Sequence, residues 1–114
     1  AEKIEKVIRD RIDEGEYRST KLDRITVNEN LGTEEDGDYI ALVYLKFDIK
    51  NTKNTGNKMM RMYSDDLVAA MASKGITNVC EAAVFWEDEY NDRNLKYTYE
   101  YRNGGFYITD IAGE

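Results

Sequence analysis

A chain of 114 residues with 23 acids, 16 bases and a net charge of −7 suits one acidic domain. Phosphate backbones and anionic bilayers call for clustered Lys and Arg, so neither nucleic acid nor a membrane surface is an expected partner. Histidine is absent and Cys80 is the single cysteine, which removes Ser-His-Asp and Cys-His nucleophile activation, an internal disulfide and a multi-cysteine zinc site.

Residues 3–14 read as a helix, because Ile4, Val7, Ile8 and Ile12 recur at helical spacing and Gly15 offers a stop. The leading "AEKIEKVIRDRID" is charged from its second residue, unlike a signal peptide. Residues 22–30 form an expected strand with Ile25 and Val27 on one face, followed by the turn-like "NLGTEEDGD". "DYIALVYLKFDIK", residues 38–50, is the clearest strand. Tyr39, Ala41, Val43, Leu45, Phe47 and Ile49 alternate on one side, while Ile40, Leu42 and Tyr44 occupy the other. A strand half that is apolar on both sides predicts cover on both faces, with the first helix as the candidate, and is compatible with a homodimer.

"NTKNTGN" reads as a polar loop in which Thr55 or Asn57 caps the next helix. That helix runs over 58–74 through Met60, Tyr63, Leu67, Ala70 and Met71, and Gly75 ends it. Residues 76–90 form a third expected strand around "VCEAAVFWEDEY", 94–102 a fourth and 105–111 a fifth. "RNGG" between the last two suits a hairpin, since Asn103 and Gly104 tolerate positive φ. No proline exists to build a stiff linker. The order α-β-β-α-β-β-β predicts a single α+β domain over 1–114, with two helices packed on a mainly antiparallel sheet of four to five strands. Cystatin-like and NTF2-like sheets that wrap a helix are analogues, although a helix between strands two and three fits neither cleanly.

In "YTYEYRNGGFYITD" Tyr97, Tyr99 and Tyr101 share one face, and Lys96, Thr98, Glu100 and Arg102 share the other. This period of two marks a half-buried strand, so core filling is favoured over an aromatic binding row. Trp86, ending its strand beside a polar turn, reads as a core-edge residue. Any interaction surface is expected among Trp86, Tyr90, Tyr97, Tyr99, Tyr101 and Tyr107. Glu34, Glu35, Asp36 and Asp38 around Gly37 lack the EF-hand spacing and read as a solvated loop. Glu87, Asp88, Glu89 and Asp92 read as a second acidic turn of the same kind. Arg61 can reach Asp65 at i,i+4, and Asp66 is expected to face water. Cys80 lies in an apolar strand with no basic neighbour to activate it. Met59, Met60, Met62 and Met71 read as core filler for the second helix. Catalytic residues, a cofactor site and a metal site are not expected.

"VNENLG", "GDYIALV", "MYSDDLV", "VFWE" and the aromatic hairpin make most of the chain resemble a family of small domains without assigned function. These occur in exported or lipoprotein-like proteins of Gram-positive bacteria. The resemblance implies a secreted or cell-envelope location and an accessory, non-enzymatic role, and it supplies no catalytic residues. The expected function is therefore a protein-interaction module of an exported protein, with another protein as its partner. Two other classes stay open: an acidic inhibitor or immunity-type protein that masks a basic enzyme, and a small-ligand or carboxylate-hydrolase pocket between sheet and helix.

Overall fold

The computed structural model describes residues 2–29 and 38–114. The expectation placed on Glu34, Glu35 and Asp36 lies outside those residues. Seven elements follow in the expected order: α1 (Glu2–Glu14), β1 (Thr20–Glu29), β2 (Tyr39–Phe47), α2 (Lys53–Ser73), β3 (Val79–Asp88), β4 (Arg93–Arg102) and β5 (Gly105–Ala112). The strands form one sheet in the order β1-β2-β3-β4-β5. Its pairs are antiparallel except β2 and β3, which run parallel because α2 carries the chain from the end of β2 back to the start of β3.

Helix α2 begins earlier than its apolar pattern suggests. Thr52, rather than Thr55 or Asn57, is the N-cap, and its hydroxyl accepts from the Thr55 amide at 3.2 Å. Asn103 and Gly104 both adopt positive φ between β4 and β5, as the short turn requires.

The core forms where both helices meet one face of the sheet. Ile4 and Ile8 of α1 and Met60, Leu67 and Met71 of α2 pack on Ala41, Val43, Leu45 and Phe47 of β2. Val84, Trp86, Tyr97 and Tyr99 complete this core. Three of the four methionines are used as filler, whereas Met62 is exposed. Tyr97 and Tyr99 are fully buried and Tyr101 half-buried against Phe106, so the tyrosine row fills the core as its alternation predicts. Cys80 is half-buried, and its thiol donates to the Tyr39 carbonyl.

The expected cover on both faces of β2 is not what the fold provides. Since α1 and α2 lie on the same side, the face bearing Ile40, Leu42 and Tyr44 receives no helix from the described residues. Its neighbours across the sheet shield it instead. Tyr44 stacks on Phe85 at 4.6 Å with nearly parallel rings, Arg24 lies 4.1 Å over Tyr44, and Lys96 lies 5.3 Å over Phe85. Both outer ring faces are occupied, so the pair offers no free platform on which a sugar or base could stack.

Two polar clusters fasten the helices. Arg11 donates two hydrogen bonds of 2.8 Å to the Asp66 carboxylate, which also accepts from the Tyr17 hydroxyl, and Tyr17 stacks on Tyr63. Asp66 therefore joins α1 to α2 while its side chain stays 36% exposed, so the sequence reading of a water-facing acid missed a partner 55 positions away. At the other end of α2, fully buried Asp88 accepts from Arg93 and Asn91, and Arg93 reaches back to the Lys53 carbonyl. The acidic turn of Glu87, Asp88, Glu89 and Asp92 is thus not uniformly solvated, because Asp88 serves as an internal latch.

Hydrogen bonds from Arg11, aided by one from Tyr17, hold Asp66 below the ordinary carboxylate range against a smaller effect of burial. At Asp88, burial pushes the carboxyl up, but the hydrogen bonds from Asn91 and Arg93 together outweigh it and its pKa is also lowered. A carboxyl depressed by folding adds stability above its unfolded pKa of about 3.9, lost as pH falls through the folded values. The denaturation midpoint should therefore change little between pH 5 and 7 from these two groups and fall steeply below about pH 4. Asp66→Asn should shallow that acid limb in urea titrations.

Candidate functional site

Arg61, Asp65, Val68, Ala69 and Ala72 fall at helical spacing along one flank of α2, beside the core-facing stripe. The turn at Asn103–Gly104 returns the chain as β5, whose Phe106 and Ile108 share the face of Tyr101 and Tyr99. Between this flank and β5 lies a cleft of about 500 Å³. The floor is Tyr99, Phe106 and Ile108, and the helical wall has small side chains at Ala69 and Ala72. This size and largely apolar lining suit a binding cleft.

Three polar side chains converge at one end. The Tyr99 hydroxyl donates to Asp65 Oδ1 at 2.5 Å. Burial first, then this hydrogen bond to a carboxylate, holds the phenol above its ordinary pKa, so it stays protonated and works as a donor rather than as a base. Arg61 forms the expected i,i+4 ion pair with Asp65, yet the closest approach, Nε to Oδ2, is 3.5 Å. Nε is buried without a hydrogen-bond partner. Its guanidinium donates no hydrogen bond to any other described residue, so it retains donor capacity inside the cleft.

The six expected surface residues do not form one patch. Trp86 is 1% exposed, and its indole donates to Ser64 Oγ at 2.8 Å, so it belongs to the core and not to a surface. Tyr97 and Tyr99 are likewise withdrawn from the surface by burial under α2, although Tyr99 contributes to the cleft floor. Tyr101 leans on Phe106. Tyr107 (55% exposed) and Tyr90 (51% exposed) do face solvent. They sit toward opposite ends of β4, roughly 25 Å apart at 3.3 Å per residue, and only Tyr107 borders the cleft. Arg61, Ala69 and Ala72 were missed as site residues. Their helical register is readable in the sequence, but which element lies beside them is not.

Among the described residues no group of three or more His, Cys, Asp or Glu could hold a metal ion. No helix among them is long and apolar enough to cross a membrane. Comparison with protein-family models, with curated proteins and with solved structures returns no match to this chain.

Proposed function

We propose that this domain is a non-catalytic protein-interaction module of an exported bacterial protein and that the cleft between α2 and β5 is its contact surface. The observation that carries this reading is the cleft itself: an apolar groove at the sheet margin, bordered by exposed Tyr107 and holding one incompletely engaged guanidinium. Interfaces draw their energy from such apolar and aromatic centres with an Arg at the edge. Nothing in the groove resembles a nucleophile with its base. Asp65 is bound to Tyr99, and the phenol is held protonated. The exported location rests on the resemblance of "VNENLG", "GDYIALV" and "MYSDDLV" to envelope-associated domains.

Benzophenone photocrosslinking tests this reading. The photoreactive residue is placed at Phe106, whose side chain is on the cleft face of β5, with the same group at Tyr90 as control, and the protein is exposed to envelope proteins of a Gram-positive host. The expected result is one adduct, identified by mass spectrometry, from position 106 alone and reproduced with the purified pair. No adduct from position 106, or equal labelling from both positions, would remove the cleft as a contact surface.

A further inference from the structure

The geometry points to strand addition: the cleft takes an extended peptide from another protein, which pairs with the free edge of β5 and sends every second side chain under α2. This rests on the cleft being a contact surface and goes further in naming the bound conformation and the chemistry of the bound sequence.

The first support is the difference between the two sheet margins. β1 carries Lys21, Asp23, Arg24 and Glu29 and has a register shift between Leu22 and Arg24. Charges and irregularity of this kind are how proteins blunt an edge against pairing. β5 reads GFYITDIA, with one charge, Asp110. Its first half, up to Ile108, pairs regularly with β4, and the register shift comes only opposite Thr98 and Tyr99. The N–H and C=O groups of β5 that point away from β4 form a ready template for another strand.

The groove lies beside this template. A peptide paired with β5 continues the sheet, so its alternate side chains share the face of Phe106 and Ile108 and meet the α2 flank. Ala69 and Ala72 leave room there for an apolar side chain. Nearer the start of α2, Arg61 supplies a cation only loosely engaged: its contact with Asp65 Oδ2 is 3.5 Å, and its Nε has no hydrogen-bond partner. The recognised sequence is therefore extended, with an apolar residue and an Asp or Glu an even number of positions apart. A second copy of the chain fits less well. Its β5 would present Phe106, Ile108 and Ile111 on that face, with no acid for Arg61, and each copy carries −7.

The probe is a phage-displayed library of random linear peptides, whose enriched members are synthesised and titrated into the ¹⁵N-labelled domain. The expected peptides share the apolar and acidic pair and shift amides of 105–112 and 61–72. They also protect fast-exchanging β5 amides from hydrogen exchange. Arg61→Gln should weaken binding about tenfold, the loss of one charge-assisted hydrogen bond, and a selection against that variant should lose the acidic preference. Ala69→Gln combined with Ala72→Gln should abolish binding while the spectrum stays folded, since both substitutions suit a helix flank.

Peptides that shift residues around Tyr44 and Phe85 instead would overturn strand addition. So would β5 shifts that depend on protein concentration without peptide, which identify a second copy as the occupant. If no peptide is enriched although position 106 still forms its adduct, the partner is a folded surface and strand addition is wrong while the interaction reading stands. Failure of both experiments removes the two together.

Discussion

Replacing Asp88 by alanine should lower the unfolding free energy by about 3–5 kcal/mol, the usual cost of leaving one half of a buried ion pair without its partner. Asp88 is fully buried, and Arg93, 11% exposed at its side chain, lies 2.9 Å away. Asn91 also donates to Asp88, and its amide hydrogen-bonds the Asn51 side chain. Removing the carboxylate leaves the buried guanidinium with no counter-charge and only the Lys53 carbonyl as acceptor, and takes one of two partners from the Asn91 amide. Combining Asp88→Ala with Arg93→Met should cost clearly less than the two single changes added together, because the orphaned cation goes too. Urea denaturation of the four proteins in this cycle measures it. A loss below about 1 kcal/mol for Asp88→Ala would mean that the site hydrates freely and that the latch is only apparent.

Trp86→Ala should cost a similar amount, about 3–5 kcal/mol, for a different reason. The indole meets Phe47 edge-on at 6.0 Å and Tyr63 at 6.3 Å, and its N–H donates to Ser64 Oγ, which in turn donates to the Met60 carbonyl. Truncation leaves a cavity between α2 and the sheet that neighbouring rings cannot collapse to fill. Trp86→Phe keeps most of the volume. It should cost only about 1–2 kcal/mol, since Ser64 retains Met60 as acceptor and loses only a donor. Chemical denaturation followed by far-ultraviolet circular dichroism reads both, and equal losses for Phe and Ala would place the energy in the indole hydrogen bond instead of in packing.

The seven elements were legible because each carries its own period, most plainly Tyr39–Phe47 and the Tyr97, Tyr99, Tyr101 row. Boundaries failed where tertiary packing decides them. "NTKNTGN" looks like loop because of Gly56, yet the helix passes through it: a Cβ there would strike the Asn51 side chain and crowd Arg93, so the glycine marks close packing and not a break. Asp66 and Asp88 looked alike as surface acids, since nothing local distinguishes a carboxylate with a distant Arg from one without. The open face of β2 was misjudged for the same reason. Its shielding by Arg24, Phe85 and Lys96 exists only once the register of four strands is fixed. The cleft was the least legible feature, because it is a gap between α2 and a strand that follows it by some thirty positions.

The one parallel pair has a kinetic consequence. The β1–β2 pair and the β3–β4–β5 meander are each joined by their nearest chain neighbours, so both can form from contacts close in sequence. β2 and β3 meet only after the whole of 48–78 has been threaded between them, helix included. Joining them closes the longest loop in the sheet, and the contacts of Trp86 and Arg93 with α2 become available at that same joint. The chain is thus two local halves joined through one helix, and their docking along the β2–β3 seam is the expected slowest folding step.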